Sequence, residues 1–148
     1  MVSRYEKLSS SLSEISRMIN RLSAQTMKDY GMRGTLAKYL LVMKRHKNGI
    51  TASRLCTLCE RNKADVSRAL AELEELGLAE HPSGASYRAK FALTEQGYSI
   101  ATSLELRASE LISYVGKDIT DEEREIFYRA LESIAANLQA VEGKKAVT

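Results

Sequence analysis

The stretch that decides the fold is ITASRLCTLCERNKADVSRALAELEELGLAEHPSGASYRAKFAL, Ile50 to Leu93. It reads as a short helix, a tight turn, a longer helix and a two-stranded hairpin. Thr51 stands where the cap of the short helix belongs, and Leu55, Cys56, Leu58 and Cys59 form its inward side. Asn62 caps the longer helix, and Asp65 follows three residues on in a capping-box-like pair. Val66, Leu70, Leu73 and Leu76 mark that helix's core face, and Gly77 supplies its stop. After Gly77 the period changes from 3.6 to 2. Residues 78–81 and 88–93 become strand candidates joined by a turn over 82–86. Tyr87, Ala89, Phe91 and Leu93 fall on one face of the hairpin, and Arg88, Lys90 and Ala92 on the other. That order is a winged helix-turn-helix, whose second helix fits the DNA major groove.

Working outward, Ser3-x-x-Glu6 opens the first segment as a capping box. Tyr5, Leu8, Leu12, Ile15, Ile19 and Leu22 then form one apolar stripe on a helix of about seven turns. A stripe so far from other core-forming segments calls for a partner helix. Gly31 and Gly34 separate it from a second helix over 35–47, rich in large apolar residues and stopped by Gly49. Thr94 caps a long fifth helix with Tyr98, Ala101, Leu104, Ala108, Leu111 and Val115 at helical spacing. Thr120-x-x-Glu123 opens a sixth, carrying Phe127, Leu131, Ile134, Leu138 and Val141 in a 4-3-4-3 repeat.

The chain of 148 residues is long enough for one domain with a real core. No apolar run approaches membrane-spanning length, and the N-terminus lacks a signal-peptide core, so a cytoplasmic protein is the expectation. Net charge is only +3, but its distribution is informative. Residues 1–32 carry five basic and three acidic groups, 33–94 eleven and six, and 95–148 six and ten. Positive charge therefore gathers on the helix-turn-helix and wing, as phosphate neutralisation requires.

The expected groove-facing set is Lys63, Ala64, Ser67 and Arg68, on the first half of the longer helix. Arg68 can offer a bidentate pair to guanine and Ser67 an adaptable contact. Arg54, Lys63, Arg88 and Lys90 are the expected phosphate contacts. The competing reading, ordinary surface charge on a helical hairpin, is weaker because helix, turn, helix and basic hairpin occur together and in order.

These segments resemble the MarR family of bacterial transcriptional regulators. The likeness is strongest in ITASRL, VSRALAELEELGLAE and ALTEQG, the last resembling the family's strand-to-helix LTxxG, and with the flanking helices it covers nearly the whole chain. It implies a mainly α fold of six helices with a small β-hairpin wing. It also implies a homodimer clasped by the first and last two helices, residues 1–32 and 95–148, around a DNA-binding lobe over 33–94. Leu8, Leu12, Ile15 and Ile19, with Phe127, Leu131, Ile134 and Leu138, are the interface candidates. The implied partner is a pseudo-palindromic operator in double-stranded DNA, released by a small-molecule or redox signal, as for a repressor. An effector pocket between dimerisation helices and lobe would draw on Met27, Tyr30, Tyr39, Met43 and Tyr98, which read residue by residue as core. Two departures stand out. Ala85-Ser86-Tyr87 replaces the family's wing pattern of aspartate and arginine, and the turn Glu60-Arg61-Asn62 lacks the usual glycine.

Two other classes compete: a winged-helix protein-interaction adaptor without its own operator, and a thiol redox switch through Cys56 and Cys59. Both cysteines take inward positions, where a free thiol packs as a small hydrophobe. A zinc site would need more ligands than His46 and His81 provide, so neither metal nor cofactor is expected. No Gly-rich phosphate loop, GxSxG or HExxH occurs, and no catalytic role is assigned.

Overall fold

The computed structural model describes residues 3–81 and 89–146. Its elements run α1 (Arg4–Lys28), α2 (Leu36–Lys44), β1 (Ile50–Thr51), α3 (Ala52–Cys59), α4 (Lys63–Glu75), β2 (Ala79–Glu80), β3 (Lys90–Leu93), α5 (Glu95–Val115) and α6 (Asp121–Ala146). The chain divides into two compact units, Met1–Arg107 and Ala108–Thr148.

The helix ends follow from local chemistry. At α1 the Ser3 Oγ accepts the Glu6 N–H at 3.0 Å, and the Ser3 N–H donates back to Glu6 Oε2 at 2.8 Å, a complete capping box. The same reciprocal pair opens α6, with Thr120 N–H to Glu123 Oε2 at 2.8 Å and Glu123 N–H to Thr120 Oγ1 at 3.2 Å. Arg124 closes the preceding turn by donating to the Gly116 and Ile119 carbonyls. α2 ends at Lys44, short of the expected 47. The His46 Nδ1 lies 2.9 Å from the Val42 carbonyl, and the Arg45 and His46 N–H groups make tight i→i−3 bonds that wind the helix off.

In the first unit the core draws on every element through α5. Met27, Leu36, Leu40, Met43, Leu55, Val66 and Leu73 are buried together, with Ala101 and Leu104 from α5. α4 departs from expectation at one position. Leu76 is 42% exposed because it is the helix's C-terminal cap residue, where the chain leaves the core stripe. Ala69 and Leu78 supply the buried contacts instead.

The expected hairpin has a third strand. β3 is central: Ile50 pairs with Phe91 and Thr51 with Lys90, while Ala79 pairs with Leu93 and Glu80 with Ala92, all antiparallel. Two residues are too few to show an alternating pattern, so the residue order around Thr51 signals only its cap of α3. Gly49 makes this pairing possible. It sits at φ +92°, and a Cβ there would fall 2.7 Å from the Lys90 Cβ. Its role is close approach of β1 to β3, not the end of α2. The wing turn and Arg88 lie outside the described residues.

Candidate nucleic-acid interface

α3 and α4 pack on each other and on α2, with Leu55, Cys59, Val66 and Leu70 buried in the common core. Thr51 caps α3, its Oγ1 accepting the Arg54 N–H at 3.2 Å. Because Thr51 also belongs to β1, the cap joins the wing's sheet to the helix-turn-helix. Asn62 caps α4 through Oδ1 to the Asp65 N–H at 2.8 Å. Between the helices, Glu60 adopts the left-handed conformation at φ +53°, the only described non-glycine residue with positive φ. The Arg61 N–H then reaches the Cys56 carbonyl at 3.1 Å, and the Lys38 ammonium donates to the Cys59 carbonyl at 3.2 Å. The turn thus keeps the geometry a glycine would provide, at the cost of a strained glutamate.

With the turn so built, Lys63, Ala64, Ser67 and Arg68 are exposed on the first half of α4, and Arg54 is exposed on α3. Lys90 is exposed on β3, opposite Thr51. Arg88 lies outside the described residues. Asp65 has a further role that its capping position conceals: its carboxylate accepts from the Arg68 guanidinium one turn on. Arg68 is therefore held along the helix surface, with other N–H groups of its fork free of this pairing.

Two arginines near α4 escaped the sequence reading, since neither lies on that helix. Arg33, in the α1–α2 connection, donates from Nε to Glu72 Oε2 at 3.0 Å, and the carboxylate's hydrogen bonds push the guanidinium's pKa further up. Arg61 projects from the inter-helix turn. With Arg68, Asp65, Tyr39 and Thr35 they border a cavity of about 130 Å³ beside α4. Nothing in their spacing, 28 residues from Arg33 to Arg61, signals this convergence.

The five residues considered for an effector pocket are dispersed in role. Met27, Tyr39 and Met43 are buried core side chains. Tyr30 is half-buried, with the Arg107 guanidinium 5.5 Å from its ring centre. Tyr98 is more exposed, and the Lys44 and Lys47 ammonium groups each lie 5.5 Å from its ring. Along α1, Leu8, Leu12, Ile15 and Ile19 are all exposed. On α6, Phe127 and Leu138 are exposed, while Leu131 and Ile134 are half-buried.

Cys59 is buried and Cys56 half-buried, both as free thiols. Burial pushes the Cys59 thiol's pKa up, away from the thiolate that redox chemistry needs. Among the described residues no group of three or more His, Cys, Asp or Glu side chains gathers as a metal site. Among those residues, too, no helix is long and apolar enough to cross a membrane.

No protein-family model matches the chain, and no curated protein matches its sequence. Solved structures do match its fold. The Staphylococcus aureus MepR–DNA complex superposes with a TM-score of 0.80 at 20% identity, over 92% of this chain and 99% of that one. A putative MarR family transcriptional regulator from Listeria monocytogenes, complexed with a 26mer DNA, gives 0.79 at 19% identity over 87% of each chain. NMB1585, a MarR family regulator from Neisseria meningitidis, gives 0.76 at 17% identity over 97% of this chain and 99% of its own. This chain has the winged helix-turn-helix fold of the MarR family regulators.

Proposed function

We propose that this protein is a sequence-specific DNA-binding transcriptional regulator that acts as a homodimer on a pseudo-palindromic operator. The observation that carries this reading is the exposed, basic first half of α4, presented by a helix-turn-helix whose crossing is buried and capped at both helices. Two structures sharing the fold contain DNA. The apolar stripes of α1 and α6, exposed on an isolated chain, support a second copy as partner. Two α4 helices would then enter successive major grooves about 34–36 Å apart. Arg68 and Ser67 read base edges, and Arg54, Lys63 and Lys90 neutralise phosphates.

Repression relieved by a small molecule is part of the same reading. An effector acts by binding one separation of the two α4 helices better than another. The test is a mobility-shift titration with a promoter fragment of the protein's own gene and a random duplex of equal length. Salt-sensitive binding to both, with the promoter preferred by about 10³-fold or more, is the expected result. Absence of binding to either duplex at low salt would leave the protein-interaction adaptor as the better reading.

A further inference from the structure

We infer that Arg61, with Arg33 and Thr35, forms a clamp for one backbone phosphate of bound DNA, placed beside α4 and not on it. The inference rests on the DNA-binding reading above and adds to it a contact from the α1–α2 connection and the inter-helix turn.

Three guanidinium groups from three separate segments border one cavity of about 130 Å³. That is roughly four times the ~30 Å³ share of a water molecule, room for one tetrahedral oxyanion. Two of the three are balanced by carboxylates, Arg33 by Glu72 and Arg68 by Asp65. Arg61 is exposed and has no ion pair among the described residues. The local balance is thus three positive charges against two negative. A guanidinium carries five N–H donors, so Arg33 with its partner can still turn an edge to a second oxyanion. Thr35 adds an exposed hydroxyl that makes no capping bond at the head of α2.

The occupant follows from dimensions. A helix with its side chains is about 10–12 Å across and the major groove is about 12 Å wide. A helix seated there fills the groove, so groups flanking it meet the sugar–phosphate walls and not base edges. Arg33, Thr35 and Arg61 flank α4, next to Arg68. A wall phosphate is the oxyanion brought to them.

Arg61→Gln, an exposed turn substitution, tests this by the salt dependence of binding to promoter and random duplexes, with Lys117→Gln as a control of equal charge change. The expected result is a salt slope smaller by about 1.8 for the Arg61→Gln dimer, about 0.9 for each of its two clamps, on both duplexes, and an unchanged slope for Lys117→Gln. An unchanged slope in Arg61→Gln, or an equal drop in Lys117→Gln, overturns the clamp while wild-type binding keeps the DNA reading intact. Wild-type protein that binds neither duplex overturns both. A thermal-shift titration with inorganic phosphate separates the source of the anion. A midpoint raised in wild type but not in Arg61→Gln, together with an unchanged DNA slope, would assign the site to free anions and overturn the DNA contact.

Discussion

Gly97 lies so close to Leu78 that a Cβ built on it would fall 2.0 Å from the Leu78 carbonyl oxygen. That same carbonyl accepts the Thr94 N–H at 3.0 Å. The Thr94 hydroxyl donates to the Gly77 carbonyl at 2.7 Å and accepts the Gly97 N–H at 3.1 Å. The Leu-Thr-x-x-Gly segment is therefore a joint that locks the start of α5 onto the chain leaving α4. Gly97→Ala should destabilise the fold by about 3 kcal/mol, because the obstructing atom is backbone and cannot rotate away. Denaturant unfolding measures it; a loss below about 1 kcal/mol would show that the joint yields.

Glu60 should behave in the opposite sense. Its left-handed backbone strains any residue with a Cβ, and its 3.9 Å ion pair with Lys38 is exposed at both ends and contributes little. Glu60→Gly is expected to stabilise by about 0.5–1 kcal/mol. The thermal midpoint of the variant should rise, and a fall would mean that the ion pair outweighs the strain.

Arg68→Ala should weaken binding to the operator by about 1–3 kcal/mol with little change on random DNA. Equal weakening on both would reassign Arg68 to phosphate contact. Asp65→Asn offers a companion measurement, since loss of the carboxylate releases the guanidinium from α4's surface. Reduced discrimination between sequences, with overall affinity kept or raised, is the outcome expected of a held base-reading arginine.

Ile15→Glu places a charge in the middle of the exposed α1 stripe, at a side chain that is 50% exposed in the single chain. The proposed dimer should dissociate in sedimentation velocity, and its thermal midpoint should lose its dependence on protein concentration. An unaltered dimer would remove α1 from the interface.

The capping boxes carry a pH dependence. Hydrogen bonds from Ser3 lower the Glu6 pKa, and those from Thr120 lower that of Glu123. A carboxylate whose pKa is lower folded than unfolded stabilises fully above its unfolded value and loses that stabilisation as the pH falls through the folded one. Both groups are solvent-exposed, so the effect is local fraying of the first turns of α1 and α6. Protection of the Glu6 and Glu123 amides from exchange, measured against the intrinsic rate at each pH, should fall as the pH is lowered from about 5 to 3, a fall that Glu6→Gln and Glu123→Gln controls should not show.

Helix number, the N-terminal caps at Ser3, Thr51, Asn62, Thr94 and Thr120, and the exposed face of α4 were all legible in the sequence. Each depends on groups three or four residues apart, and such short-range geometry is written directly in residue order. Leu76 misled because position on a helical stripe says nothing about where the chain leaves the core. The pairing of Ile50 with Phe91, 41 residues away, and the use of Gly49 to permit it depended on how β3 lies against α2 and beside β1. The meeting of Arg33 and Arg61 beside Arg68 likewise exists only after α1, α2 and α4 have packed. The order of residues determined which segments are helical and which helix faces outward. Tertiary packing alone decided which distant charges share one cavity, because contacts across the fold carry no period in the chain.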